Sequence, residues 1–193
     1  MRRLFFSVLL ACGFSSCVTE EHKWVDLGLS VKWSTCNLGA SAPEEYGDYY
    51  AWGEVATKTE YTESNCSTID KSLIDISASK NHDAARIVWG GKWRIPTETE
   101  FQELIDNCTW TWETLNGNNG CKVTGPNGNS IFIPAAGTYR NREVMGIGKA
   151  GLYWTSTQSD KDNLAKNIIC SDAGPFMMGT SFDVGYTIRP VLD

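Results

Sequence analysis

Short apolar stretches separated by turn-forming residues run along most of the chain. They are rich in aromatic and β-branched residues, which favour strands over helices. In segment 31–36, apolar and polar positions alternate with the period of two that a half-buried strand requires. The same reasoning predicts strands at 24–29, 153–157, 165–170 and 185–191, and a hairpin that joins 122–124 to 130–133.

Two segments carry helical signals instead. Thr97 and Glu100 have the spacing of a capping box, and apolar residues recur on one helical face from Phe101 to Cys108. This pattern predicts a helix over 98–107. A shorter helix is predicted over 83–89, with Asn81 or Asp83 near its amino-terminal cap and a glycine pair at 90–91 to end it.

The elements between these signals complete the expected fold class. Residues 57–80 are polar and show no clear period, so they are predicted to form a long loop, with a short helical turn near 69–76. Strands and helices do not alternate as they would in a parallel βαβ fold. The sequence therefore predicts an α+β domain of mostly short antiparallel strands with two helices and long loops.

The amino terminus has the pattern of a bacterial export signal. Arg2 and Arg3 precede an apolar run at 4–14, which is too short to span a bilayer as a mature helix. Two serines then precede Cys17, which resembles the lipobox where a signal peptidase cuts and leaves an acylated cysteine. We expect a lipoprotein signal peptide at 1–16, a palmitate-type lipid anchor on Cys17 and a tether at 17–23. Cleavage before Cys12, or ordinary secretion after Ser16, are the alternatives.

The charge and length of the mature chain indicate where it is located, which partners are excluded and how many domains it has. The acidic residues after Cys17 resemble the signal that sends Bacteroides-type lipoproteins to the outer face of the outer membrane, so we expect a lipid-anchored protein at the cell surface. The formal net charge of −6 becomes more negative when Arg2 and Arg3 are removed, which argues against nucleic acid as a partner. The remaining residues suit one domain, at 24–193.

Five cysteines remain after Cys12 and Cys17, and they show no metal-binding or redox motif. None has CxxC spacing, so neither a zinc site nor a thioredoxin-like motif is indicated. An oxidising compartment permits disulfides without requiring them. Cys108 and Cys121 are one candidate pair, because the glycine- and asparagine-rich segment 116–120 between them can fold back. The alternative is that all five are small buried hydrophobic residues.

Six sequence blocks, in chain order, resemble the Fibrobacter succinogenes major paralogous domain. They extend from the first predicted strand to the carboxyl end and read WSTCNLGA at 33–40, EYGDYYAWGE at 45–54, WGGKWRIPT at 89–97, IPAAG at 133–137, YWTST at 153–157 and GYTIRPV at 185–191. The resemblance implies a fold similar to C-type lectin domains, to formylglycine-generating enzymes and to the variable proteins of diversity-generating retroelements. It does not imply a particular ligand.

The resemblance also implies where a ligand would bind. In those variable proteins the ligand face lies between the last two blocks, which here enclose 158–187. This interval mixes polar with large apolar side chains, as binding surfaces do. The alternative is that its apolar residues cap the core. The candidate ligand-binding residues are Gln158, Asp160, Asn163, Asp172, Phe176, Met177, Met178 and Phe182.

Catalytic and metal-binding residues are sparse in this sequence. It has two histidines, of which His22 lies in the tether and His82 at a predicted helix start. Cys170 stands alone in the region where a formylglycine-generating enzyme needs reactive cysteines. Three carboxylates at 44–48 could hold Ca²⁺, but a solvated loop is the favoured interpretation and the calcium-lectin signatures are missing. We expect no catalysis, no metal and no cofactor.

The aromatic and basic residues of the blocks are expected to be structural. Most of the eight tryptophans lie in the blocks, where core packing is favoured. Trp110 and Trp112 lie outside them and could stack on sugars, although burial is favoured there too. Arg94 and Arg189 are expected to be buried and to pair with carboxylates or backbone carbonyls.

Two functions follow from these expectations. The leading hypothesis is a cell-surface lipoprotein that binds an external ligand, a glycan or a protein, through the loops at 158–182. The alternative is a structural or adhesive component of a pilus-like surface assembly.

Overall fold

The computed structural model describes residues 22–193, so the expected signal peptide, Cys12 and the Cys17 anchor lie outside the described residues. This part of the chain is a mixed α+β structure of mostly short antiparallel strands and two helices, which confirms the predicted fold class. The helices are α1 (Ala84–Val88) and α2 (Glu98–Asn107), and a single 3-10 turn covers Glu63–Asn65. The strands are β1 (Trp24–Val25), β2 (Lys32–Ser34), β3 (Trp93–Arg94), β4 (Thr109–Leu115), β5 (Asn118–Thr124), β6 (Ser130–Pro134), β7 (Thr138–Arg140), β8 (Glu143–Met145), β9 (Ala150–Gln158), β10 (Leu164–Ser171), β11 (Gly174–Ser181) and β12 (Val191–Leu192).

The first sheet joins the two ends of the described chain. Its strand order is β1-β2-β12-β3, and Val191 of β12 pairs with Trp33 on one side and Arg94 on the other. The resemblance to C-type-lectin-like domains implies that the terminal strands lie side by side, and β1 and β12 do share this sheet, with β2 between them. Three further sheets have the orders β11-β10-β9, β4-β5-β6 and β7-β8.

Helix α2 begins and ends where the sequence predicts. The Thr97 hydroxyl accepts a hydrogen bond from the Glu100 backbone N–H at 3.2 Å, and the Glu100 carboxylate accepts one from the Thr97 N–H at 2.8 Å. These two bonds satisfy donors that would otherwise be left open at the helix start. Phe101 and Leu104 are fully buried, and Phe101 packs against Trp33 with ring centroids 5.0 Å apart.

Helix α1 is also confirmed, with Asp83 as its amino-terminal cap. The Asp83 carboxylate accepts a hydrogen bond from the Arg86 N–H within the first turn, and further bonds from the N–H groups of Ala78 and Ile95. Burial raises the pKa of Asp83, and these backbone donors offset part of that rise. Gly90 and Gly91, both with positive φ, follow the helix and end it.

Aromatic side chains fill two core clusters. In the first, Trp52 stacks on Phe182 with centroids 4.4 Å apart, and Trp154 packs on Tyr186 at 4.5 Å. The second cluster surrounds Trp33 and includes the inner face of α2 and residues of the β4-β5-β6 sheet. The tryptophans of the blocks are therefore core residues, apart from the partly buried Trp89.

Several predicted boundaries are wrong in the structure. Interval 158–182 was expected to form loops around the strand predicted at 165–170; β10 confirms that strand, but β11 fills most of the remainder. The strand predicted at 24–29 is limited to β1, and in place of a strand over 185–191 the structure has single bridges at Gly185, Tyr186 and Thr187 followed by β12. Segment 69–76 forms no helical turn.

The predicted pairing of Cys108 with Cys121 is wrong as well. The register of β4 and β5 places Cys121 opposite Trp112, four residues beyond Cys108. At about 3.3 Å per residue this separates the two cysteines by roughly 13 Å, which is beyond the reach of a disulfide. All five cysteines in residues 22–193 are free thiols. Neither helix in this part of the chain has the length and apolarity needed to cross a membrane.

Candidate functional site

The interval between the last two sequence blocks folds into an antiparallel hairpin at the edge of a sheet. β10 pairs with β9 on one side and with β11 on the other, so β11 is the outer strand. A turn at 172–173 connects β10 to β11, and Gly174 follows it with a φ of 99°, a conformation open to glycine. β9, by contrast, is covered by other segments, for example by Thr187 opposite Tyr153.

Alternation along β11 divides its side chains between the core and the surface. Met177 packs against the second core cluster, as do Ile105 of α2 and Trp110 of β4. Phe176 and Met178 therefore point to the opposite side, where they are 49% and 43% exposed. Phe176 pairs with Ile169, which in turn pairs with the partly buried Leu152. We call Phe176, Met178 and Ile169 the β11 face.

A chain of polar groups borders the β11 face. The Tyr186 hydroxyl lies 3.3 Å from the Thr180 hydroxyl, and the Thr180 hydroxyl donates to the Asn167 side-chain oxygen at 3.0 Å. Burial raises the pKa of Tyr186, and its bond with Thr180 offsets part of the rise. Asn167 pairs with Met178 across the strands, and its buried amide nitrogen has no hydrogen-bond partner within residues 22–193.

At one end of the same sheet, a polar cleft separates the β9–β10 turn from the loop at 70–72. Its volume is about 370 Å³, and it is lined by Asp70, Lys71, Ser72, Gln158, Asp162 and Asn163. The Gln158 side-chain oxygen accepts bonds from the N–H groups of Leu73 and Ile74, both at 2.9 Å. Asn163 and Asp70 exchange two hydrogen bonds, at 2.7 and 3.0 Å. We call this cleft the hairpin groove.

Strained backbone conformations cluster beside the hairpin groove. Asp70, Ile74 and Asn163 all have φ between 56° and 62°. This left-handed region is costly for residues other than glycine, and most of all for a β-branched residue such as Ile74. The paired bonds of Gln158 and Asn163 hold the loop in this conformation. Such strain persists where the surrounding structure enforces it, as is common at binding sites.

The structure separates the eight candidate residues by role. Phe176 and Met178 lie on the β11 face, while Met177 is directed to the core. Gln158 and Asn163 bind the neighbouring loop, and Asp160 is exposed in the turn beside them. Phe182 is fully buried against Trp52, so its place is in the core and not on a surface.

The remaining candidate, Asp172, lies at the other end of the hairpin. It is exposed in the β10–β11 turn, next to the Ser171–Gly174 pair, whereas Asn163 adjoins the Leu164–Ser181 pair. Seven residue steps of about 3.4 Å separate these two ends, or roughly 24 Å. The candidates therefore form no single pocket; they are spread along the length of the β10–β11 pair.

Sequence reasoning missed four residues of this region: Asp70, Asn167, Thr180 and Tyr186. Asp70 reaches the hairpin across 93 positions of sequence, for which the chain carries no local signal. Asn167 and Thr180 are joined by a hydrogen bond because they lie on the same face of the β10–β11 pair. The sequence does not predict β11, so it gives no sign of this bond. For Tyr186 the sequence predicts only membership of the strand at 185–191, and not a contact with Thr180.

The residues considered for metal binding or catalysis, the carboxylates at 44–48 and His82, make structural contacts. The Glu45 carboxylate accepts bonds from Ser41 and Ala42, which lower its pKa, and Glu44 accepts one from Asn116. The ring of His82, which directly precedes the cap of α1, contacts the Gly53 carbonyl at 2.9 Å. Among residues 22–193, no three His, Cys, Asp or Glu side chains gather as a metal site requires.

The two tryptophans that could bind sugars lie on the same side of β4. Trp110 and Trp112 are partly buried and pack against the second core cluster. The Trp110 indole N–H donates to the Leu104 carbonyl at 3.2 Å, which ties the strand to α2. The rings of Trp110 and Trp112 therefore contribute mainly to core packing.

Comparison with known proteins yields no match. No family model, no curated protein and no solved structure matches this chain.

Proposed function

We propose that this chain is a surface lipoprotein, anchored in the outer membrane through Cys17, whose domain binds an external protein through the β11 face. The observation that carries the proposal is the pair of large apolar side chains, Phe176 and Met178, that stand half exposed side by side on an edge strand. Large apolar groups that gather at the surface are typical of interaction sites. Catalysis has no part in this proposal.

An extended segment of a protein partner fits this edge. Within the described residues, β11 pairs with β10 alone, so the backbone groups along its outer side are open to a further strand. Natural proteins usually protect such edges with charged side chains or cover them. β11 has one protective residue of another kind, Pro175 near its start, but it carries no charged residue between Gly174 and Ser181. A strand added here would gain main-chain hydrogen bonds, and its side chains would contact Phe176 and Met178.

The buried amide of Asn167 supports the same face. A buried donor without a partner is costly, and its free energy is recovered when a ligand supplies an acceptor. Asn167 lies opposite Met178, whose flexible side chain can change rotamer more readily than a branched one. A partner that displaces Met178 would bring an acceptor to this nitrogen.

A protein partner is favoured over a glycan by the kind of side chain exposed. Glycan sites commonly present a flat aromatic ring together with polar groups. Beside the β11 face the Thr180 hydroxyl is bonded to the Asn167 side-chain oxygen, and the exposed surface of the face itself is apolar. Trp24, the most exposed tryptophan ring in residues 22–193, carries the Lys32 ammonium over its ring at 4.2 Å.

Membership of the C-type-lectin-like fold is a second part of the proposal. It is supported by the six collinear sequence blocks and by a sheet in which the strands from both ends of the domain lie together. The Arg189 of the last block is fully buried and donates to the carbonyls of Ser34 and Phe132, which suits a structural role in such a fold.

Binding of the purified full chain to arrayed surface proteins and to a glycan array tests the proposed function. We expect protein ligands to be detected, and we expect the double variant Phe176→Ser, Met178→Ser to bind them at least tenfold more weakly, because a few central apolar residues carry most of the affinity of an interface. The dissociation constant, measured by titration of each hit, is the readout.

The matched control is the double variant Ile87→Ser, Val88→Ser. These residues on α1 are 46% and 50% exposed, close to the values for Phe176 and Met178, so the loss of apolar surface is similar. We expect its dissociation constant to stay within about twofold of the parent. If the chain binds glycans and no protein, the proposed protein partner is wrong and the ligand is a sugar.

The alternative function, a subunit of a surface assembly, draws on the same edge strand. A second copy or a neighbouring subunit could supply the added strand. Light scattering separates the two, because assembly through β11 predicts self-association that the Phe176→Ser, Met178→Ser variant loses. A chain that stays monomeric and binds an arrayed protein supports ligand binding.

A further inference from the structure

Two of the five free thiols in residues 22–193 lie in the same buried cluster. Cys121 is on β5 and Cys170 on β10, and both are fully buried in the second core cluster, where β5 packs against β10. Each thiol is the main influence on the pKa of the other, lowering that of Cys121 and raising that of Cys170. The Cys121 sulfur also lies 3.8 Å from the carbonyl oxygen of Ser171, the residue that follows Cys170.

The backbone around Cys170 leaves room for its sulfur. Gly151 of β9 pairs with Cys170, and a side-chain carbon at Gly151 would stand only 2.8 Å from the Cys170 sulfur. A glycine is therefore needed opposite this thiol. The other three thiols differ, since those of Cys36 and Cys66 contact the hydroxyls of Thr35 and Thr68, and Cys108 lies at the end of α2.

We propose that Cys121 and Cys170 form a disulfide when the chain folds in the presence of a disulfide oxidant, and that this bond joins the β4-β5-β6 sheet to the β9-β10-β11 sheet. The loop closed by the bond spans about 50 residues, a length for which a cross-link removes considerable freedom from the unfolded chain. The inference does not depend on the proposed ligand.

The reaction is a thiol–disulfide exchange with a disulfide such as oxidised glutathione. The thiolate of either cysteine, for example Cys121, attacks one sulfur of the oxidant, which forms a mixed disulfide and releases one glutathione thiolate. Cys170 then attacks the Cys121 sulfur and releases the second. The oxidant is reduced to two thiols, which take up the two protons lost by the cysteines.

Both thiols are buried in the folded domain, so an oxidant can reach neither Cys121 nor Cys170 there. The bond should therefore form during folding, before the two sheets close over the thiols. Either thiolate can attack the oxidant first, because the pKa shifts that distinguish the two thiols belong to the closed domain.

Refolding of the full chain tests this inference. The chain is reduced and unfolded in guanidinium chloride, then refolded with oxidised and reduced glutathione or with dithiothreitol alone, and its free thiols are blocked before proteolysis. Mass spectrometry of the peptides should find Cys121 joined to Cys170 only after refolding with glutathione. The melting temperature of that sample should be about 5–15 °C above the reduced one.

Two variants control the experiment. Cys170→Ala removes one partner and should abolish both the linked peptide and the gain in melting temperature. Cys66→Ala removes a buried thiol that contacts Thr68 instead of a cysteine, and it should keep both. If Cys170→Ala fails to fold, the peptide map of the parent chain still decides the question. Blocked thiols at both positions after refolding with glutathione, or a bond to any other cysteine, would overturn the proposal.

Discussion

Arg94 illustrates how a single partly buried side chain can connect separate parts of this fold. Arg94 makes two hydrogen bonds to the Glu100 carboxylate, at 2.8 and 2.6 Å, and contacts Asp193 at 2.6 Å. The sequence predicted a carboxylate partner for this arginine because a buried guanidinium requires one or a set of carbonyls. Its position between Trp93 and Ile95 predicted burial, and the side chain is mostly but not fully buried. Only the fold could supply the identity of the partner at the carboxyl terminus.

The pair of Arg94 and Glu100 should make stability depend on pH. Burial by itself raises the pKa of Glu100, but hydrogen bonds from Arg94 and Thr97 outweigh it, so the pKa is lowered. A lowered folded-state pKa stabilises the fold fully above about pH 4.3, the ordinary carboxyl value, and that stabilisation is lost as the pH falls through the lowered value.

Glu100→Gln isolates this contribution, because the amide keeps an acceptor for the Thr97 N–H while the ion pair is lost. We expect the free energy of unfolding to fall by about 1–3 kcal/mol at pH 7. Urea unfolding at pH 7 and near pH 3 should show that the difference from the parent shrinks at the lower pH. An unchanged difference at both values would contradict this role.

The two phenylalanines of the hairpin region should behave in opposite ways. Phe182→Ala removes a fully buried ring stacked on Trp52 and should cost about 3–5 kcal/mol. Phe176→Ala truncates a half-exposed ring and should cost less than about 1 kcal/mol. Chemical denaturation measures both. Equal losses would place Phe176 in the core, as the alternative interpretation of the sequence had it.

Among the elements, helices were easier to predict than strands. α2 carries a capping box and an apolar face, which together define a start, an end and a buried side. β11 carries neither signal: Gly174, Pro175 and Gly179 are residues that strands usually avoid, and they are tolerated here because β11 lies at a sheet edge. Pairing with β10 outweighs the weak intrinsic preference of this segment.

The contact between the β9–β10 turn and the loop at 70–76 can be weakened in two distinct ways at Asn163. Asn163→Ala loses both bonds to Asp70 and places an alanine at a φ of 56°, so it should cost about 2–3 kcal/mol. Asn163→Gly loses the same bonds without the strain and should cost about 1 kcal/mol less.

Hydrogen exchange separates the two effects at Asn163. The Asp70 amide, which donates to Asn163, should exchange faster in both variants because its acceptor is gone. Equal stability of the alanine and glycine variants would show that the left-handed conformation contributes no strain at this position.

At the scale of the whole molecule, long-range pairing sets the architecture. β12 at the carboxyl end fills the space between β2 and β3, and segment 185–187 bridges to Tyr139, Tyr50 and Tyr153. The sequence, through its resemblance to C-type-lectin-like domains, implies that the terminal strands lie side by side, and both belong to the first sheet. It could not indicate the groove formed by Asp70 and Asn163, since periodicity reports the buried face of an element and not its distant neighbours.

Deletion of residues 185–193 should therefore unfold the domain. It removes β12 from the interior of its sheet together with the buried Arg189. We expect loss of near-ultraviolet circular dichroism and rapid proteolysis. Removal of Asp193 alone is the control, because this exposed residue contributes one ion pair with Arg94 and its loss should cost less than about 1 kcal/mol.

Site-specific photo-crosslinking is the most direct measurement of the central claim, that the β11 face binds a protein partner. A photoreactive phenylalanine analogue is introduced at position 176, 178 or 87 of the full chain in the producing cells, and the adducts are identified by mass spectrometry. We predict that positions 176 and 178 crosslink to one segment of the same partner and that position 87 does not. Absence of adducts at 176 and 178, or the same adduct from 87, would contradict the account.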